Sequence, residues 1–95
     1  MKIHELKTNR PHFGLIRDGL KCWELRRNDR GFEVGDLLWL REYDPTENDY
    51  TDRTQLVEIM RVTADFDVTE GLPASFVIMD IERRCLVLPE PEPPA

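Results

Sequence analysis

Three residues that could act together on an anion or a base edge lie in Gly19-Leu20-Lys21-Cys22-Trp23-Glu24-Leu25-Arg26. On a regular strand Cys22, Glu24 and Arg26 share one face and Lys21, Trp23 and Leu25 the other. With Trp23 and Leu25 assigned to the core, Glu24 and Arg26 stand side by side on the polar face. A carboxylate at that spacing holds the guanidinium fork in one orientation, ready for a phosphate or a base edge. Lys21 reaches the same side only if a bulge or turn at the first residue of the strand swings its ammonium round. An ordinary strand with an exposed ion pair, worth at most ~1 kcal/mol, has the same spacing. Arg26-Arg27-Asn28-Asp29-Arg30 adds three arginines close enough to track a backbone phosphate. In Val34-Gly35-Asp36 the glycine permits a tight turn and takes a structural role.

As a catalytic set the same residues are thin. Lys21 would activate a nucleophile or stabilise charge, and Glu24 would be the general acid/base. No histidine stands at fixed spacing from either, and no oxyanion donor is visible. Cys22 and Cys85 make no disulfide framework and are expected to be reduced thiols, acting as small buried hydrophobes. His4, His12, Cys22 and Cys85 are scattered without metal-ligand spacing, so no metal and no cofactor are expected.

Charge and composition narrow the class. The 95 residues carry a net charge of −6, which argues against a general nucleic-acid coat. Residues 1–30 hold eight cations and four anions, whereas residues 31–95 hold five cations and fifteen anions. Such a split can focus an anionic ligand on one face of an acidic molecule, and chance clustering on a solvated surface produces it too. Hydrophobic residues make up 40% and charged residues 34%, a globular composition. No apolar run approaches the ~18 residues that span a bilayer, and the start lacks the apolar stretch of a signal peptide. The expectation is a cytoplasmic protein with no membrane partner.

The elements that must position these residues follow from periodicity. Residues 2–6 read as a short strand. Arg10-Pro11 looks like a helix start, Phe13, Ile16 and Leu20 recur at helical spacing, and Gly19 suits the left-handed helix end, giving a helix over about 10–18. Residues 21–27 alternate as a half-buried strand, and 28–31 form a turn. Residues 37–43, with Trp39 assigned to the core, are the strongest strand. Residues 44–52 form a hairpin loop, 55–62 return as a long strand, and 64–75 are mostly loop. Residues 76–81 are a further strand that could run on through 85–88. The proline- and glutamate-rich residues 89–95 read as an extended tail after a domain of residues 1–88. The expected fold class is α+β: a small, partly closed β-barrel of five to six strands with one short N-terminal helix packed on it.

Gly19-x-Lys21-x-x-Glu24-x-Arg26 resembles the GxKxxExR signature of ASCH domains, in the PUA-like β-barrel superfamily. Asn28-Asp29-Arg30-x-Phe32-x-Val34-Gly35-Asp36 and Arg41-Glu42-Tyr43-Asp44-Pro45 are similar to a small bacterial and phage branch of that group, described mainly as a domain of unknown function. The resemblance runs from Met1 to about Ile81. It implies a pseudo-barrel with a cleft beside the helix, lined by the signature residues and suited to RNA or a nucleotide-like ligand. Some members deacylate N4-acetylated cytidine and others are ribonucleases. In the deacylases a lysine, a threonine and a further glutamate act; Lys21 matches the lysine, Glu24 stands at the threonine position, and the helical insertion bearing the glutamate has no counterpart.

Three readings therefore stand. In the first, the protein is a nucleic-acid module, with RNA favoured, or a nucleotide-binding module. Lys21, Arg26, Arg27 and Arg30 then meet phosphate, Glu24 orients Arg26 or accepts from a base amine, and Trp23 serves as core or as a stacking surface. In the second it is a small hydrolase of a modified nucleoside or of RNA, with Lys21 and Glu24 catalytic. In the third, the acidic surface binds a protein partner or inhibits one. The first and second require Lys21, Glu24 and Arg26 to line one cleft, expected next to the C-terminus of the helix.

Overall fold

Every second residue of the first strand, His4, Leu6 and Thr8, is buried, so a half-buried strand extends beyond the short run expected. In the computed structural model, which describes residues 1–64 and 75–85, it is β1 (Ile3–Asn9). The chain continues through α1 (Arg10–Arg17), β2 (Trp23–Arg27), β3 (Leu37–Asp44), β4 (Asp49–Ala64) and β5 (Phe76–Arg84). The strands form one sheet in the order β1-β3-β4-β5-β2. β1 runs parallel to β3 and the remaining pairs are antiparallel. The sheet curls into a half-barrel whose edges, β1 and β2, come close enough for Arg26 on β2 to bond the Lys7 carbonyl of β1.

The helix forms where its punctuation predicts, with proline in the first turn and Arg17 in the last. Phe13 and Ile16 fall three apart and are fully buried against Leu38, Leu40, Val57 and Ile59. Gly19 adopts φ +76°, and its N–H and that of Leu20 close the helix on the Ile16 and Leu15 carbonyls. Arg83 from β5 donates to the Arg17 carbonyl at 2.7 Å, placing a cation at the helix C-terminus. A Cβ on Gly19 would meet the end of that flexible guanidinium at 2.9 Å. Gly19→Ala is therefore expected to cost about 1–2 kcal/mol, mainly from the left-handed backbone, measurable by urea unfolding.

The hairpin turn is shorter than expected. Asp44 Oδ1 accepts the Thr46 and Glu47 N–H groups, so the chain reverses at once and β4 starts at Asp49. A register shift between Ile59 and Arg61 bends β4, letting one long strand serve two parts of the curled sheet.

Several inside–outside assignments are reversed. Trp23 and Leu25, expected in the core, are 46% and 42% exposed, while Glu24 is buried. β2 pairs through Glu24↔Met79 and Trp23↔Asp80, and the buried Met79 fixes which face is inward. Trp39, also expected in the core, is 41% exposed because its neighbours Leu38 and Leu40 occupy the inward positions of β3. Cys22 and Cys85, expected buried, are exposed thiols. The loop at 65–74, the strand extension through 86–88, the domain end at 88 and the tail at 89–95 lie outside the described residues.

A buried polar centre holds one end of the barrel. The Asp36 carboxylate accepts from Lys2 N (3.0 Å), His4 Nε2 (2.9 Å) and Glu33 N (3.2 Å). The His4 hydrogen bond, reinforced by the backbone N–H of Lys2, holds the carboxyl at a pKa of about 2. Phe32 packs edge-on against the His4 ring, and Gly35, at φ +92°, turns the chain so that its N–H meets the Ile59 carbonyl.

Candidate functional site

At the seam between the sheet edges lies an open cleft of about 520 Å³. The end of β1 supplies Lys7, Thr8 and Asn9, the first turn of α1 supplies His12, and Lys21 and Trp23 to Arg26 form the opposite wall. Lys21, Glu24 and Arg26 thus line a common cleft. It opens beside the first turn of the helix, rather than beside its C-terminus as expected. No bulge is needed at Lys21, because β2 begins only at Trp23 and the residues before it are free of strand parity.

Glu24 and Arg26 form a built pair. Arg26 Nε donates to Glu24 Oε2 at 2.8 Å, with the two side chains 27% and 5% exposed. Arg26 Nη2 also donates to the Lys7 carbonyl (2.8 Å) and to Thr8 Oγ1 (3.4 Å). Arg26 therefore straps β2 to the free edge of β1, where unpaired carbonyls need donors. Arg30 does the same two residues earlier on β1, donating to the Glu5 carbonyl at 2.7 Å. Arg27 points to the outer face, its guanidinium 5.5 Å from the Phe76 ring centroid. Neither Arg27 nor Arg30 lines the cleft.

The other two cations of the cleft are lysines. Lys21 Nζ lies 3.2 Å from His12 Nδ1 and 4.3 Å from the centroid of Trp23. Lys7 Nζ sits 3.6 Å above the Tyr43 ring. Among the described residues neither ammonium pairs with a carboxylate, whereas Arg26 is neutralised by Glu24. The lining thus holds three cations against one carboxylate in a chain of net charge −6. All three of these cations come from the cation-rich first 30 residues.

Sequence reasoning missed His12, which stands nine residues before Lys21 and meets it only because the helix folds back along the cleft. It also missed Glu42, buried on β3 with Oε1 accepting from Thr51 Oγ1 and Oε2 3.5 Å from Arg53. Among the described residues, no group of three or more His, Cys, Asp and Glu side chains could hold a metal ion, and no helix is long and apolar enough to cross a membrane.

Fold and site together define a small barrel-like α+β protein with an open, cation-bearing cleft at its seam. Residues 3–81 match the family described as a domain of unknown function, DUF3850, and the chain belongs to that family. Over 42 residues, 44% of the chain, it is 45% identical to an uncharacterized 12.9 kDa protein in the GpA 3′ region of Escherichia phage P2. That match covers 38% of the phage protein's length.

Proposed function

We propose that the seam cleft binds a nucleotide or a single-stranded nucleic acid, RNA above all, in a domain of ASCH type within the PUA-like superfamily. The observation that carries this reading is the convergence of Lys21, Glu24 and Arg26 with Lys7 and Trp23 on one cleft of ligand-binding size. Lys21 and Lys7 supply unpaired positive charge for phosphate. Glu24 Oε2 is occupied by Arg26, and Oε1 is left to accept from a base amine. Trp23 offers a partly exposed ring beside the cation, the kind of surface on which splayed bases stack. Arg27 and Arg30 drop out of the proposed ligand set, because one faces outward and the other fastens the β1 edge.

Lys21→Ala is the informative variant, since among the described residues the Lys21 ammonium meets His12 and Trp23 and no carboxylate. It is expected to weaken binding of a mononucleotide or short single-stranded RNA about tenfold, or ~1.4 kcal/mol, and to lower the salt slope by about 1. Arg61→Ala, on the exposed part of β4, should leave affinity unchanged. Titration calorimetry of both variants at two salt concentrations makes the test. Failure of RNA and mononucleotides alike to bind the wild type would end this reading and turn attention to the acidic surface. Lys21-dependent release of acetate from N4-acetylcytidine would replace it with the hydrolase.

A further inference from the structure

Resting on the nucleotide-cleft reading, we infer that the cleft takes a terminal phosphate monoester through Lys21 and His12, with uptake of a proton by His12. Arg26 has the fork geometry suited to phosphate, but the structure uses it elsewhere. Its Nε holds Glu24 and its Nη2 holds the β1 edge, so its charge is already answered. Among the described residues no carboxylate answers Lys21 or Lys7, and Lys21 is the one that touches a histidine, Lys7 lying over the Tyr43 ring.

The contact itself defines a protonation state. An ammonium has only donors, so Lys21 Nζ at 3.2 Å from His12 Nδ1 requires that nitrogen to carry a lone pair. In this contact the ammonium donates to an unprotonated Nδ1. Protonating His12 would set two positive charges against each other, which a doubly charged anion placed between them relieves. Anion and proton therefore favour each other, and the linkage is reciprocal. Among the described residues, the charged groups that line the cleft with His12 are Lys7 on β1, Lys21 ahead of β2, and the Glu24–Arg26 pair on β2, and Arg10 on its own helix adds a further cation, itself paired with Asp44. Within this lining Glu24 is the one anion among the described residues, and Arg26 compensates it. Two lysines and a protonated imidazole match the two charges of a phosphate monoester better than the single charge of an internal phosphodiester. Histidine side chains in general change charge between pH 5 and 8, which sets the range over which the coupling is tested.

The probes are cytidine 5′-monophosphate, cytidine, the dinucleoside monophosphate CpC and inorganic sulfate. Sulfate keeps both charges across the range and so separates protein titration from that of the phosphate. Binding is measured by calorimetry, and the His12 C2–H resonance, assigned by comparison with His12→Gln, is followed by NMR. The expected results are at least threefold tighter sulfate binding at pH 6 than at pH 8 and an upward shift of the His12 titration midpoint on adding either anion. The 5′-monophosphate should bind at least fivefold more tightly than CpC, and cytidine more weakly still. His12→Gln should abolish the pH dependence while leaving a folded protein that still binds. Nucleotide binding without pH dependence, with an unmoved His12 resonance, would overturn this inference and leave the nucleotide cleft standing. No binding of any nucleotide or of RNA would overturn the cleft reading itself.

Discussion

Asp36→Ala is expected to destabilise the protein by about 3–5 kcal/mol and to lower the thermal midpoint by roughly 15–30 °C. The carboxylate is buried and serves three donors at once, from the chain start, β1 and the turn before β3. Its removal leaves two part-buried backbone N–H groups and a buried imidazole without their acceptor, each costing up to about 1–3 kcal/mol with partial relief by relaxation. Circular dichroism melts of the variant make the measurement. A loss under 1 kcal/mol would mean that water or a shifted turn replaces the carboxylate.

The same group sets an acid limit. Its pKa is about 2 when folded, against 3.8 as its ordinary value. The unfolded chain therefore takes up the proton first as pH falls, and the stabilisation from Asp36 is present in full above its ordinary titration range. It is lost as pH drops from about 4 to about 2. Urea unfolding at pH 6, 4 and 2.5 should show this decline in the wild type, and the Asp36→Ala protein should decline less over the same interval.

Periodicity disclosed the order of the elements but not which face of each strand is wet. The helix was legible because Pro11 and Gly19 punctuate it and Phe13 and Ile16 recur at its spacing. β2 was legible as a strand, yet its polarity was inverted. Large apolar side chains at Trp23 and Leu25 suggest the core, and only the pairing of Glu24 with the buried Met79 shows that the ion pair faces inward. A strand at the seam of a curled sheet can put a charge pair inside because β1 supplies the acceptors that complete it. Those acceptors are backbone carbonyls, which no residue pattern reveals. Trp39 misleads in the same way, as one member of an unbroken apolar run in which alternation has no contrast. Lys21, Glu24 and Arg26 could be grouped from their spacing. His12 could not, because its partnership with Lys21 exists only through the fold.

Arg26→Met is expected to cost about 3–5 kcal/mol, because it strands the Glu24 carboxylate, 5% exposed, without its counter-charge. It also removes the donor from the Lys7 carbonyl and loosens the seam on which the cleft depends. The double variant Glu24→Met/Arg26→Met should be more stable than Arg26→Met alone, since buried charge and partner then leave together and apolar side chains fill the space. Urea unfolding of the wild type, both single variants and the double variant closes the cycle, with a coupling expected at about 2 kcal/mol or more. A cost below 1 kcal/mol for Arg26→Met, with no coupling, would show that the guanidinium is not a strap and is free to meet a ligand directly. The outcome decides how binding data on this residue must be read. If Arg26 fastens the seam, any loss of binding in its variants reports an opened cleft, and the proposed phosphate contact is tested only at Lys21 and His12, which can be replaced without breaking a buried pair.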